Sequence, residues 1–352
     1  MTSSLVERTQ KEGTPLVDGS TITLVWVGLR SPSLRGDFTH WHHDPALELK
    51  QAEPGVWIYQ TELPAGAYIE YAFFAGEQRI LDPLNKRLTS NGLGKYNNYF
   101  YMPGGSITPL AHRSLEIPHG DITRQMIEGG KTIAGSRRPV YFYRPPVDQP
   151  VPLLVVWDGY DYLRRVRLSV IVDNLIAQKR IEPIALAMIH HGGTARIQEY
   201  SCNSATLDYL HDYVLPVAKQ QLNLTTCPGA FGVLGASMGG LMAVYTGFRL
   251  PDLFGKVYSQ SGSFAYGGNE KAIFPLVENS PQQKINLYLE AGKFEYTGLI
   301  EANHRMQTLL AQKGYKHSYL EYPAGHNYPA WRDRVADGLV WLFPSSEAQV
   351  AP

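Results

Sequence analysis

The chain has 352 residues, of which 44% are apolar and 18% charged, and this composition excludes an intrinsically disordered protein. Its 32 basic and 32 acidic side chains cancel, so the net charge offers no basis for binding nucleic acid or an anionic membrane. Two cysteines, Cys202 and Cys227, exclude a disulfide framework. No uncharged apolar run reaches the ~18 residues that a membrane span needs, and Met1–Pro15 lacks the apolar segment of a secretory signal. We therefore expect a cytoplasmic protein of two domains.

The N-terminal part of the chain is predicted to be a tail, residues 1–19, followed by an all-β sandwich of the immunoglobulin-like class, residues 20–103. Short runs of β-branched and aromatic residues alternate there with Pro and Gly turns, and helical periodicity is almost absent. The predicted strands are Ile22–Val27, Val56–Leu63, Tyr68–Phe74 and Tyr96–Tyr101. The large residues expected in its core are Trp26, Trp41, Trp57, Tyr59, Tyr71 and Phe73.

Four short motifs in this part resemble the early-set sandwich that stands beside glycogen-acting enzymes and in front of some esterases. They are Gly36–Trp41, Gly55–Trp57, Pro64–Tyr68 and Leu81–Pro83. The resemblance implies a domain that packs on its neighbour, with binding of sugar rings on an aromatic stripe as the alternative. Three further residues, His40, His42 and His43, raise the question of a metal site. No cysteine or carboxylate stands beside them at a standard ligand spacing, so we predict a surface loop and no metal.

The chain then changes to alternating strands and helices. Residues 104–133 are predicted to be a linker and the start of the catalytic domain, and residues 134–345 the catalytic domain itself. Its predicted strands are Val140–Tyr143, Leu153–Trp157, Ile184–Ile189, Phe231–Leu234, Val257–Ser259, Leu287–Leu289 and Ser318–Tyr322. Predicted helices between them are Leu168–Gln178, Leu207–Leu222, the segment from Leu241 to Phe248, and Leu299–Gln312. Apolar strands joined by helices indicate a mostly parallel sheet, whose functional residues lie at the carboxyl ends of its strands.

A nucleophile is predicted at one of these ends. Gly235–Gly239 reads G-x-S-x-G, directly follows a predicted strand and opens an amphipathic helix. So tight a reversal tolerates little or no Cβ beside the serine, and it exposes Ser237 Oγ on a sharp corner. The N–H of Met238, at the start of the helix, is then the first expected oxyanion donor. A second donor should follow an early strand, and in the segment Trp157–Tyr160 we expect the N–H of Tyr160 in that role, with the N–H of Gly159 as the less favoured alternative.

A serine nucleophile needs a base, and three histidines follow Ser237 along the chain. His304 lies within a helical pattern and His317 at the start of a strand. His326 lies in the loop straight after the last predicted strand, and it is therefore the predicted base.

The acid that orients the base is less settled. Glu295 falls in a loop after the predicted strand Leu287–Leu289 and is preferred, because its side chain could turn back toward His326 Nδ1. Glu290, at the end of that strand, remains the alternative. Glu301 is expected on a helix that faces solvent.

Six segments together resemble the enterochelin esterase (esterase D-like) family of α/β-hydrolases, over nearly the whole chain. They are Arg138–Pro146, Leu154–Gly159, Arg196–Tyr200, Gly235–Gly240, Glu290–Glu295, and Gly325-His326 with Trp331-Arg332. The resemblance implies an α/β-hydrolase fold behind an early-set domain, and hydrolysis of small-molecule carboxylic esters through Ser237, Glu295 and His326 without a metal or cofactor. Arg196 and Glu199 either contact the substrate or form a structural ion pair. Apart from Arg196, the motifs carry no dense basic cluster, which weighs against an anionic iron complex as substrate.

The resemblance leaves several functions open. An acyltransferase, or an esterase for feruloyl or acetylxylan esters, would use the same three residues, because the first half-reaction is identical. A protein of another class, a carbohydrate-binding sandwich joined to an inactive hydrolase fold, is the weaker hypothesis. We keep a homodimer as an open alternative for the assembly.

Overall fold

The computed structural model describes residues 4–92 and 94–346. The chain folds into two compact units. The first contains the chain up to Ser106 together with Gly292–Tyr296 and Tyr322–Ala330, and the second contains the remainder.

The first unit is built on two antiparallel sheets, formed by strands β1 to β10. After helix α1, Ser4–Glu12, the strands are β1 Leu16–Asp18, β2 Thr21–Val27, β3 Ser33–Gly36, β4 Leu47–Glu48, β5 Lys50–Glu53, β6 Val56–Glu62, β7 Tyr68–Ala75, β8 Gln78–Ile80, β9 Leu88–Ser90 and β10 Tyr96–Tyr101. One sheet has the order β1-β2-β6-β5 and the other β4-β3-β7-β10-β9, with β8 paired to β7. Apolar side chains of both sheets share one core, as in a β-sandwich.

The aromatic residues of this sandwich divide into two groups. Tyr71 and Phe73 are fully buried in the core. Trp26, Trp57 and Tyr59 are only partly buried and pack against that core from its rim. The prediction that all of them fill the core therefore holds for Tyr71 and Phe73 and overstates the burial of the others. Large rings with polar atoms often keep one edge near solvent. Trp41 is likewise half-buried.

The segment expected to be a tail is partly ordered. It forms α1 and β1, and β1 pairs with β2. Val6 of α1 and Leu16 of β1 are buried together with Val25 and Val56 in a small apolar cluster. Burial of these side chains gives the segment the apolar contacts that a solvated tail lacks.

The second unit is built on an eight-stranded sheet with the order β11-β12-β14-β13-β15-β16-β17-β18. Its strands are β11 Asp121–Glu128, β12 Arg137–Arg144, β13 Leu153–Val156, β14 Ala185–Ile189, β15 Phe231–Ala236, β16 Phe254–Gln260, β17 Asn286–Gly292 and β18 Lys316–Tyr322. Strands β13 to β17 pair in parallel, whereas β11 and β12 are antiparallel. All four residues of β13 and all five of β14 are buried, as expected of strands covered on both faces.

Helices connect these strands. They are α2 Gly159–Asp161, α3 Leu168–Ala177, α4 Arg196–Tyr200, α5 Ser204–Asp208, α6 Leu215–Gln221, α7 Met238–Arg249, α8 Glu270–Asn279, α9 Thr297–Gln312 and α10 Tyr328–Leu342. The helix predicted over Leu207–Leu222 is present as a continuous helical segment, residues 204–221, in which a wider π-helical stretch, Tyr209–Val214, lies between α5 and α6. Pro216 follows that stretch and has no N–H to continue an α-helical ladder.

A helix able to cross a membrane would need a long, apolar run. Between residues 4 and 346, wherever the structure describes the chain, no helix meets that requirement.

Candidate active site

Ser237 sits on a strained corner between β15 and α7. Its backbone has φ 59° and ψ −122°, a conformation that side-chain-bearing residues rarely adopt. Three main-chain hydrogen bonds hold the corner. Ser237 N–H donates to Gln260 at 2.8 Å, and its carbonyl accepts from Leu241 at 3.1 Å and Ser263 at 3.0 Å. The neighbouring strand and the first helical turn therefore fix the corner from both sides.

The glycines around the serine are required because neighbouring backbone or side-chain atoms approach each of them closely. A Cβ added at Gly235 would overlap the carbonyl oxygen of Gly239. One at Gly239 would lie 2.9 Å from Asp158 Oδ2, and one at Gly240 2.7 Å from Ser259 Oγ. The spacing of G-x-S-x-G thus reflects the packing of this corner.

The immediate surroundings of the serine are polar. Ser237 Oγ lies 3.2 Å from Ser263 Oγ, at hydrogen-bond distance. Met238 begins α7 and is buried. The first N–H groups of a helix have no partner within the helix and carry its positive dipole end. An oxygen anion formed at this corner would be stabilised there.

Tyr160 lies in α2, the short helical turn that follows β13. Its side chain is 42% exposed and stacks on His190 with a ring separation of 5.2 Å. A Cβ at Gly159 would overlap the backbone of Met188, so this glycine allows α2 to lie close against β14. The glycine is therefore explained by packing in the fold.

Asp158, just before that turn, forms a buried ion pair with Arg196. Its two oxygens accept from Arg196 Nε and NH2, each at 2.6 Å, and its side chain is fully buried. Asp158 has a left-handed backbone with φ 56°. The ion pair links the β13–α2 turn to α4.

Glu199, the second residue predicted to meet substrate, forms a different ion pair. Its carboxylate accepts from both terminal nitrogens of Arg138, at 2.6 and 2.8 Å, and from Ala134 N–H at 2.8 Å. Both side chains of the pair are almost completely buried. Burial is the largest single effect and lowers the pKa of Arg138, but its hydrogen bonds to Glu199 and the charge of Glu199, with smaller effects of Tyr200 and Tyr209, together raise the pKa. This placement favours the structural alternative for Glu199.

The first unit holds a carboxylate–imidazole pair. Glu295 Oε2 lies 2.6 Å from His326 Nδ1; the glutamate side chain is 0% exposed and the histidine side chain 34%. Glu295 follows β17 by three residues, and His326 follows β18 by four. A buried carboxylate at Nδ1 fixes the tautomer that leaves Nε2 able to accept a proton.

Glu290, the alternative acid, has other partners. Its Oε1 accepts from Gln260 Nε2 at 2.6 Å, and Gln260 Oε1 accepts from Tyr162 O–H at 2.6 Å. Burial raises the pKa of Glu290 from 4.5 to about 7, although the hydrogen bond from Gln260 lowers it. Of the two candidate acids, Glu295 is the one that His326 contacts.

The three N-terminal histidines lie near the 3₁₀ turn Asp37–Thr39 and contact different partners. His40 Nδ1 lies 2.7 Å from Asp44 Oδ2, and the rings of His42 and His43 lie near Phe74 and Tyr296. In the part of the chain that the structure describes, no three His, Cys, Asp or Glu side chains are grouped so that they could hold a metal ion.

Two sets of residues near these elements were not predicted from the sequence. Arg164, Arg165 and Arg167 form a basic cluster directly after α2, and Arg164 and Arg167 are exposed. Because these arginines lie so close together in the sequence, the cluster could have been predicted from it. Asp158 was quoted only as part of a motif, and its pairing with Arg196 has no signal in the sequence, since 38 residues separate the two.

Comparisons with known proteins place the chain in a family. The family described as putative esterase matches residues 131–342. The chain belongs to this esterase family. A relative, the iron(III) enterobactin esterase of Escherichia coli strain K12, is 24% identical over 360 aligned positions, which cover 92% of this chain and 87% of that protein.

Solved structures agree with the fold of the chain. The ferric enterobactin esterase of Salmonella typhimurium aligns with a TM-score of 0.78 at 23% identity, covering 97% of this chain and 98% of that one. The enterobactin esterase of Shigella flexneri, solved in the presence of enterobactin, aligns with a TM-score of 0.76 at 21% identity and covers 92% of each chain. The α/β-hydrolase-like fold is thereby confirmed.

The resemblance to enterochelin esterases that the motifs indicated is confirmed as well. This esterase is an enterochelin esterase-like carboxylic ester hydrolase.

Proposed function

We propose that this esterase hydrolyses its substrate through Ser237, His326 and Glu295. The observation that carries the proposal is the 2.6 Å hydrogen bond between buried Glu295 and His326 Nδ1. It is supported by the strained corner that holds a half-buried serine at the end of β15. Strands β15 to β18 are consecutive in one sheet, and the three residues follow β15, β17 and β18. The carboxyl end of such a sheet is where catalytic groups gather.

Each residue has a defined step. His326 Nε2 takes the proton of Ser237 while Oγ attacks the ester carbonyl, and Glu295 stabilises the imidazolium that forms. The tetrahedral oxyanion is held by the N–H groups of Met238 and Tyr160. Collapse of the intermediate expels the alcohol, which takes the proton from His326. Water, activated by the same imidazole, then releases the acid from Ser237.

The substrate that we propose is a catecholate siderophore ester of the enterobactin class. The names of the relatives support this choice, since the Escherichia coli relative is an iron(III) enterobactin esterase. Arg196 is engaged by Asp158. The positive charge that an anionic iron complex requires would come instead from exposed Arg164 and Arg167.

As part of the same proposal, the N-terminal sandwich is an early-set immunoglobulin-like domain.

The test compares two substrates with matched variants. Ser237→Ala and His326→Ala should each lower kcat by about four to six powers of ten on ferric enterobactin and on a neutral aryl ester alike. Arg164→Gln with Arg167→Gln should raise KM for the ferric complex about three- to tenfold and leave the aryl ester unaffected. Full activity of Ser237→Ala would overturn the catalytic proposal. Wild-type hydrolysis of aryl esters alone would overturn the substrate proposal.

A further inference from the structure

The two loops that carry Glu295 and His326 belong to the same compact unit as the N-terminal sandwich. Tyr68 N–H, at the start of β7, donates to the carbonyl of Pro323 at 3.0 Å. Phe294 packs against the apolar core of the sandwich. Strands of the sandwich therefore hold both loops directly.

Asp37, at the end of β3, lies against the histidine loop itself. Its carboxylate is buried and accepts two hydrogen bonds, from Glu70 N–H at 2.8 Å and from Trp41 Nε1–H at 3.1 Å. A Cβ added at Gly325 would overlap both oxygens and the carboxyl carbon of Asp37. The carboxylate thus occupies the space in front of Gly325, the residue directly before His326.

An ionised carboxylate is energetically unfavourable at the buried position of Asp37. Burial and the nearby charge of Glu70, on β7, raise the pKa of Asp37 well above its ordinary value, although the hydrogen bonds from Glu70 N–H and Trp41 lower it. Glu295, facing from the loop after β17, adds a smaller effect in the raising direction. A buried acid surrounded by other acids does not stabilise a fold through its charge. Its geometry against the loop suggests a different reason for its presence.

We propose that Asp37 is a positioning residue for the Glu295–His326 pair, so that the N-terminal sandwich contributes directly to the catalytic apparatus. The carboxylate, fixed by Trp41 and by the main chain of Glu70, supports the backbone at Gly325 and thereby sets the place of the imidazole. This inference rests on the proposed role of His326.

The sandwich offers a matched control. Asp82 is also buried, accepts from Tyr71 O–H at 2.6 Å and Leu84 N–H at 2.8 Å, and has a pKa raised by burial. It makes these contacts within the sandwich, between β8 and β9. A purely structural role for Asp37 predicts that Asp37→Asn and Asp82→Asn behave alike.

The experiment measures kcat, KM and melting temperature for the full chain on a neutral aryl ester. We expect Asp37→Asn to lower kcat about 10- to 100-fold at nearly unchanged KM, because a small displacement of the imidazole slows proton transfer. Asp82→Asn should keep kcat within about twofold, even where its melting temperature falls as far. The downfield proton resonance of the His326–Glu295 hydrogen bond should shift in Asp37→Asn and stay in place in Asp82→Asn.

A second comparison distinguishes loss of the Asp37–Gly325 contact from general misfolding of a variant. Gly325→Ala should lower kcat because its methyl group would overlap the Asp37 carboxylate. In Asp37→Ala with Gly325→Ala the methyl group has room, so the double variant should be no slower than Asp37→Ala alone. Independent residues would instead show multiplied losses.

Two outcomes of these comparisons would overturn the inference, as would full activity of Asp37→Asn. One is an equal loss of kcat in Asp37→Asn and Asp82→Asn; the other is multiplied losses in the double variant. Failure of the proposed function would look different, since His326→Ala would then retain wild-type turnover. If His326→Ala is inactive and Asp37→Asn is fully active, only the role of Asp37 is refuted.

Discussion

Glu295 and His326 form a 2.6 Å hydrogen bond through Nδ1, with the carboxylate buried and about a third of the imidazole side chain exposed. A carboxylate at Nδ1 favours the tautomer that carries its proton on this nitrogen, so that Nε2 can accept one. In the mechanism that we propose, its negative charge also offsets the positive charge that the imidazole acquires.

The first prediction concerns this carboxylate. Glu295→Gln should lower kcat about 10³- to 10⁴-fold, because an amide can present an N–H to Nδ1 and stabilise the wrong tautomer. Steady-state kinetics on an aryl ester measure the loss. Glu290→Gln is the matched control, since Glu290 is equally buried but bonded to Gln260, and it should retain most of the activity. A larger loss in Glu290→Gln would show that Glu290 is the catalytic acid.

The second prediction concerns stability and pH. The folded protein raises the pKa of Glu290 from 4.5 to about 7, so between these values the folded state binds more protons than the unfolded state. Stability should therefore fall as pH rises from about 5 to 8, by an amount on the order of 3 kcal/mol. Melting temperatures across this range measure the effect. In Glu290→Gln the decline should be clearly smaller, and an unchanged decline would assign it to other groups.

The third prediction concerns the buried pair of Asp158 and Arg196. Arg196→Gln leaves the Asp158 carboxylate buried without its counter-charge, and we expect a loss of about 3 kcal/mol in the free energy of unfolding. Asp158→Asn combined with Arg196→Gln should lose less than Arg196→Gln alone. Urea denaturation provides the measurement. Arg334→Gln, at the partly exposed Arg334–Asp337 pair, should change stability by less than about 1 kcal/mol. Equal losses in Arg196→Gln and Arg334→Gln would contradict the account.

The fourth prediction concerns the serine corner. Gly235→Ala should lower both kcat and melting temperature, because its methyl group would overlap the carbonyl of Gly239 in the first turn of α7. Gly267→Ser is the control, since a Cβ there has open space within 4 Å although φ is 63°. Gly267→Ser is expected to cost some stability through backbone strain and to leave kcat intact. Normal turnover in Gly235→Ala would show that the corner can relax.

The sequence predicted those parts of the fold that depend on local pattern. Apolar runs marked the buried strands β13 and β15, and the glycines around Ser237 marked the corner, because close backbone approach restricts residue type directly. The helix over Leu207–Leu222 was predicted, but its π-helical stretch Tyr209–Val214 was not, although Pro216 was a signal for a local change in hydrogen bonding. The order in α1 had no comparable signal, since it depends on an apolar cluster formed with Val25 and Val56.

Residues of the candidate site were likewise predictable only where they follow a local pattern in the sequence. His326 and Glu295 were predicted because each follows a predicted strand. Glu290 lies only five positions before Glu295, so the sequence favoured Glu295 and left Glu290 as the alternative. The contacts of Asp37 with Gly325 and of Asp158 with Arg196 join distant parts of the chain. Contacts of that kind depend on the tertiary fold and leave no periodic pattern in a single sequence.

The most direct test of catalysis by Ser237 and His326 is covalent labelling of the protein. The protein is treated with a fluorophosphonate, and the adduct is located by mass spectrometry in the wild type and in His326→Ala. The account predicts a single adduct on Ser237 that forms rapidly in the wild type and at least about a hundredfold more slowly in His326→Ala. An adduct on another residue, or equally rapid labelling of Ser237 without the imidazole, would contradict it.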